Sequence, residues 1–156
     1  MHIQCAFDYF EEEMKQKFFE KIARNDEKQC GTVEQDIAGT LQGNWFFQNA
    51  RADSGSDWDK YLAFVFDNLE PAKQVISVGG TFTNAGTWKF NPTSTGTINR
   101  SFAQVTPDGK IYCYESSNQE GRIIVRMQSE TQLIIEHQNQ KCSDNVAFQK
   151  SATYNR

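Results

Sequence analysis

Residues 121–138 read Gly121-Arg-Ile-Ile-Val-Arg-Met-Gln-Ser-Glu-Thr-Gln-Leu-Ile-Ile-Glu-His-Gln138. Two runs, 121–128 and 131–138, are rich in β-branched residues, and the Ser129-Glu130 pair between them is of hairpin length. Successive side chains of a strand point to opposite sides, so Ile123, Val125 and Met127 share one face of the first run, and Leu133, Ile135 and His137 one face of the second. Arg122, Arg126, Gln132 and Glu136 fall on the opposite faces and read as solvated. One apolar face and one polar face are the pattern of an antiparallel sheet covered on a single side.

The same pattern extends back along the chain. Strands are predicted over 43–50, 60–68, 73–81, 86–91, 97–106 and 109–115, with a weaker piece near 146–154. Turn signals separate them: Asp53 through Asp57, Glu70-Pro71, Asn84 through Gly86, Asn91-Pro92 through Gly96, Pro107 through Gly109, and Asn118 through Gly121. Trp45 and Phe47, then Leu62, Phe64 and Phe66, then Ile76 and Val78, then Trp88 and Phe90 would supply the same apolar face, while Lys89 reads as solvated. The Gly79-Gly80 pair reads as a bulge or bend, since no lysine follows at phosphate-loop spacing. The expected fold is mainly β: an eight- or nine-stranded antiparallel meander that closes, or nearly closes, into a barrel.

Ahead of the strands, Phe7, Phe10, Met14, Phe18 and Ile22 recur every three or four residues, which predicts an amphipathic helix over 7–24. Asp8 and Glu11 have capping-box spacing, and the apolar stripe is expected to pack on the sheet or plug a barrel end. Residues 25–42 carry no sustained period and read as a linker, so 1–156 is taken as a single domain with its barrel at 43–156.

The chain has 156 residues, 38% hydrophobic and 23% charged, with net charge −4, which places it among globular domains. Its sixteen Lys and Arg are scattered and alternate with Glu in the N-terminal segment, so no nucleic-acid partner is expected. No apolar run approaches the roughly 20 residues of a membrane span, and the opening lacks the charged and apolar regions of a signal peptide. A soluble protein, with or without a leader removed, is the expectation.

Cys5, Cys30, Cys113 and Cys142 show no C-x-x-C spacing, so neither a metal site nor a cofactor is expected. Four cysteines allow two disulfides in three connectivities. Cys5 would meet Cys30 only if the connecting chain ran back along a helix about 25 Å long, and Cys113 with Cys142 is the natural second half of that connectivity. The alternative is four buried thiols. Pairing would suit an extracytoplasmic or secreted location.

At Gly43-Asn44-Trp45, opening the first strand after a helical segment, the chain resembles the lipocalins and their calycin relatives. The resemblance implies that the glycine lets the chain bend into the barrel and that Trp45 closes its floor, with Arg156 as a candidate stacking partner. The Thr-Asp-Tyr-type loop and the helix after the last strand that mark lipocalins are missing.

The leading functional expectation is a small apolar or amphipathic ligand held without catalysis among Trp45, Phe47, Phe64, Phe66, Trp88, Val125, Met127 and Ile135, with Arg100 and His137 fixing its orientation. A second is a cavity isomerase or hydrolase using His137 with Asp67, Tyr114 or Glu115. A third is a protein-interaction or structural domain with a filled barrel, which twelve phenylalanines would suit. Trp58, Tyr61, Tyr112 and Tyr114 read as core and rim packing, or alternatively as a platform for a carbohydrate or flat ligand.

Overall fold

The computed structural model describes residues 5–24, 26, 28–32, 34–50 and 55–156. Eight strands run β1 (Gly43–Phe47), β2 (Tyr61–Phe66), β3 (Gln74–Val78), β4 (Gly86–Phe90), β5 (Tyr112–Glu115), β6 (Arg122–Ser129), β7 (Gln132–Gln138) and β8 (Ala152–Asn155). They form one antiparallel sheet in the order β4-β3-β2-β1-β8-β7-β6-β5, curled into a nearly closed barrel. The quoted hairpin is present with Val125 opposite Ile135, and a bulge lies between Met127 and Ser129. Strands β4 and β5 complete the circle through side chains and loop backbone: Lys89 N–H donates to Ser116 Oγ at 3.1 Å, Ser117 N–H to the Lys89 carbonyl at 3.0 Å, and Asn118 Nδ2 to the Thr87 carbonyl at 2.9 Å.

The predicted strand at 97–106 does not form. Asn99 takes a positive φ of 51°, which breaks the extended alternation, and a 3₁₀ turn follows at Phe102–Gln104. Burial explains the departure. Phe102 and Val105 insert into the barrel's lower end, the Gln74 side chain accepts the Phe102 N–H at 3.1 Å, and Leu41 N–H donates to the Val105 carbonyl at 2.9 Å.

That turn, and not the N-terminal helix, supplies the plug. The predicted 7–24 helix is a 3₁₀ turn at Ala6–Tyr9 followed by a short α1 (Glu12–Phe19), separated by extended backbone at Phe10 and Glu11. No residue of α1 is buried, and its N-cap carries no side-chain hydrogen bond, so the Asp8–Glu11 capping box is not made. Asp8 instead takes an ion pair from Lys15 at 2.7 Å. The break lets the aromatic residues satisfy one another: Phe7 stacks on Phe18 at 5.4 Å and meets Phe19 at 5.5 Å, and Phe10 meets Phe18 edge-on at 5.0 Å. The Cys5–Cys30 disulfide closes this unit, and Arg24 ties it to the barrel by donating to the Asn68 carbonyl at 2.9 Å.

A second correction concerns the polar face of β6 and β7. Arg122 and Glu136, predicted to be solvated, are 1% and 6% exposed. Residues 139–150 fold back over this face as a strap. The Arg122 guanidinium donates to Gln138 Oε1 and to the carbonyls of Lys141 and Asn145, and Gln138 Nε2 donates to Glu136 Oε1. Glu136 Oε2 accepts the N–H groups of Gln149 and Lys150 at 2.7 and 2.9 Å. The Cys113–Cys142 disulfide, with Cα atoms 5.8 Å apart, fastens the strap over a small second core of Ile124, Val146 and Phe148.

At the floor, Gly43 has φ 126°, and a Cβ there would overlap Asp36 Oδ1 and stand 2.8 Å from Arg156 Nη2. Gly43→Ala is therefore expected to cost about 2–4 kcal/mol through strain and displacement of Arg156, read as a lower urea midpoint.

The strap carries a pH signature. Burial pushes the Glu136 carboxyl up, but hydrogen bonds from Gln138 and the Gln149 and Lys150 amides, with the Arg122 charge, outweigh it and leave the group below its ordinary value. A depressed folded pKa contributes stability that is present above the ordinary carboxylate pKa and lost as pH falls through the folded one. Thermal midpoints should drop on acidification through and below the ordinary Glu range, and Glu136→Gln should lower the neutral-pH midpoint while flattening that dependence.

Candidate functional site

Ring contacts join Phe64 and Phe47, two of the expected ligand-lining residues, to core rings outside that set. Phe64 meets Phe102 at 5.1 Å, Phe90 meets Phe102 at 5.4 Å and Tyr114 at 5.2 Å, and Phe47 meets Tyr154 at 5.5 Å. Trp45, Phe64, Ile76, Phe102, Tyr114, Val125, Ile135 and Tyr154 each have 0% exposure. A void large enough for a water molecule would register as accessible surface on the side chains around it, so the space among these residues is solid. Met127 and Trp88 are nearly as enclosed, at 2% and 4%, whereas Phe47 and Phe66 are half-buried.

The polar residues expected inside are placed elsewhere or already engaged. Arg100 lies in the loop between β4 and β5, where its guanidinium donates to the Ser94 carbonyl at the surface. His137 sits at the upper rim, half-buried, with Nε2 3.2 Å from the Glu120 carbonyl and its ring 5.9 Å from Trp88. The Trp88 indole N–H is buried and has no hydrogen-bond partner among the described residues.

None of the three groups considered as partners for His137 is joined to it. Asp67 pairs with Lys89 at 2.5 Å, Glu115 accepts the Cys142 N–H at 2.7 Å, and the Tyr114 hydroxyl donates to the Arg100 carbonyl at 3.1 Å. Full burial pushes the Tyr114 phenol well above its ordinary value, which removes it as a base near neutrality. Among the described residues, no group of three or more His, Cys, Asp or Glu is gathered as a metal site would require.

The outer wall offers more room. A groove of about 600 Å³ crosses the outside of β1, β2 and β3, lined by Asp36, Asn44, Phe46, Trp58, Tyr61, Ala63, Ser77 and Gly79. Phe46 and Tyr61 are register partners whose rings meet edge-on at 5.6 Å, and Tyr61 lies 5.9 Å from Trp58. Trp58 is 69% exposed. A second groove, about 460 Å³, lies between Arg24, Asp26, Gln35, Phe66 and Asp67 where the N-terminal unit meets the barrel. Arg24 pairs there with Asp26, Asp67 pairs with Lys89, and Lys28 adds a further cation to the lining.

No family model matches the chain, and no curated protein or solved structure matches it. No helix among the described residues is long and apolar enough to cross a membrane, and two disulfides at bonding distance suit an extracellular location.

The outer groove was not assembled as a site from sequence, although Trp58 and Tyr61 had been singled out as an alternative platform. The signal was there in the alternation, since Phe46, Tyr61 and Ala63 fall on faces opposite Trp45 and Leu62. A solid interior has a measurable consequence: Phe64→Ala should destabilise by about 3–5 kcal/mol in chemical denaturation, because the surrounding rings can close only partly on the space. A loss under about 1 kcal/mol would indicate an interior with slack.

Proposed function

We propose that this chain is a non-catalytic, lipocalin-like barrel whose interior is its own hydrophobic core and which works as a binding module through its outer surface. The observation that carries the reading is the zero accessibility of Trp45, Phe64, Ile76, Phe102, Tyr114, Val125, Ile135 and Tyr154. An enclosing barrel needs a cavity of some hundreds of Å³, and here Phe64, Phe102 and Tyr114 occupy that position themselves. The lipocalin likeness rests on the floor: Gly43 admits Asp36 beside it, Trp45 is fully buried, and the Arg156 guanidinium lies 4.3 Å above the Trp45 ring. The absence of any tie between His137 and Asp67, Tyr114 or Glu115 supports binding over catalysis.

A second reading is kept for one observation. The partnerless Trp88 indole N–H beside the half-buried His137 marks the upper rim as the place where a small acceptor-bearing ligand would lodge if the rim opened.

Native mass spectrometry of the purified protein, with and without reductant, separates the two. The surface reading expects no co-purified small molecule and an oxidised mass four hydrogens below the reduced one, for the two disulfides. A stoichiometric apolar compound released on denaturation would overturn it in favour of the enclosed ligand.

A further inference from the structure

We propose that the groove on the outer wall of β1–β3 is a binding site for neutral saccharides, with Trp58 as the stacking platform and Asn44 and Asp36 as hydroxyl partners. The inference rests on the surface-binding reading above and names its ligand class.

The first observation is how firmly Trp58 is held while remaining exposed. It opens a 3₁₀ turn, Trp58–Lys60, closed by the Lys60–Asp57 ion pair at 2.9 Å and by the Lys60 N–H donating to the Asp57 carbonyl. The turn is pressed onto β3 at Gly79, where any Cβ would overlap the Trp58 carbonyl oxygen. Gly79 N–H donates to the Tyr61 carbonyl at 2.8 Å and Thr81 N–H to the Asp59 carbonyl at 3.1 Å, so both sides of the turn are pinned. Folding gains little from presenting an indole to water at 69% exposure on an anchored turn. An exposed aromatic ring on an anchored turn is a surface recognition uses, because the ordering entropy of the turn is spent before the ligand arrives.

The second observation is the division of the groove. Its floor includes the small residues Ala63, Ser77 and Gly79, which leave room above the sheet, and the rings of Trp58, Tyr61 and Phe46 form one side. Asn44 and Asp36 stand on the other, where Asp36 Oδ1 accepts the Asn44 backbone N–H at 2.6 Å and the Asn44 side-chain Nδ2–H at 3.4 Å. A pyranose ring has the matching character: C–H faces that lie on an aromatic ring, and a rim of hydroxyls that meet planar carboxylate and amide groups. The Asp36 carboxylate disfavours acidic sugars.

Trp58 is also the exposed member of the three tryptophans, since Trp45 and Trp88 are 0% and 4% exposed, so it reports on the groove. The test titrates the oxidised protein with cellotriose, chitotriose, maltotriose and mannotriose, following tryptophan emission and the indole N–H resonance of Trp58. At least one trisaccharide should give a saturable blue shift with Kd below about 1 mM. Followed by titration calorimetry, which does not depend on the indole signal, Trp58→Ala should abolish binding and Asn44→Ala should weaken it about tenfold or more, with thermal midpoints near that of the parent. No response to any of the four, a response that survives Trp58→Ala, or a protein partner held at this groove with no saccharide response would each overturn the proposal. The two readings fail separately: an empty barrel with no saccharide response removes this inference alone, whereas an enclosed ligand removes the surface reading whatever the sugars do.

Discussion

The stack of Arg156 on Trp45 organises the molecule. Trp45 lies on the first strand and Arg156 directly follows the last, so the contact brings together residues far apart in sequence at the barrel floor. The guanidinium also donates to the Ile37 and Gln42 carbonyls at 3.2 and 2.6 Å, while the Trp45 indole donates to Leu41 at 2.9 Å. The segment entering β1 is thereby gathered onto the same point. Burial pulls the Arg156 pKa down and the Asp36 charge opposes it, but a guanidinium starts so high that it stays cationic. A cation held over an indole and shielded from water is worth up to about 2 kcal/mol, and Gly43 leaves the space in which the arrangement fits.

With the floor fixed, the barrel wall acquires two unlike sides. On β5–β7 the outer face is overlaid by the strap, held by Cys113–Cys142 and by the chain of hydrogen bonds through Arg122, Gln138 and Glu136. A buried arginine is tolerated there because several oxygens surround it, among them Gln138 Oε1 and two backbone carbonyls. On β1–β3 the outer face carries a groove that small and aromatic side chains share. The interior is the same continuous core behind both sides.

Much of this was legible in the sequence, and the parts that were not fail for identifiable reasons. Period-two alternation and hairpin-length turns gave the strands, and Trp45, Phe64, Trp88, Val125 and Ile135 do face the core. Chain geometry left three connectivities open, and the one it described as Cys5–Cys30 with Cys113–Cys142 is the one formed. The helix stripe misled because Phe7, Phe10, Phe18 and Phe19 pack on one another across a break at Phe10–Glu11, and a periodicity does not say which surface its apolar face will meet. The 97–106 run misled because one left-handed residue, Asn99, turns an alternating stretch into a plug. The burial of Arg122 and Glu136 was invisible because it depends on a strap with no regular pattern of its own. For the candidate site, the aromatic positions could be read from sequence, but the pinning of Trp58 by Gly79 is a long-range contact that spacing does not encode.

The place of β8 governs when this protein can become itself. It is the last of the eight strands to be made, yet it lies between β1 and β7, in the middle of the sheet. Strands β1–β4 form one meander and β5–β7 another, each able to pair with its neighbours in order of synthesis. Until β8 arrives, both β1 and β7 present an unpaired edge, and unpaired edges invite the wrong partner. Joining them closes a loop of more than one hundred residues (Phe46 to Asn155), the kind of distant pairing that makes β proteins fold slowly. The topology thus leaves two half-sheets, β1–β4 and β5–β7, whose backbone ladders meet only through one short strand.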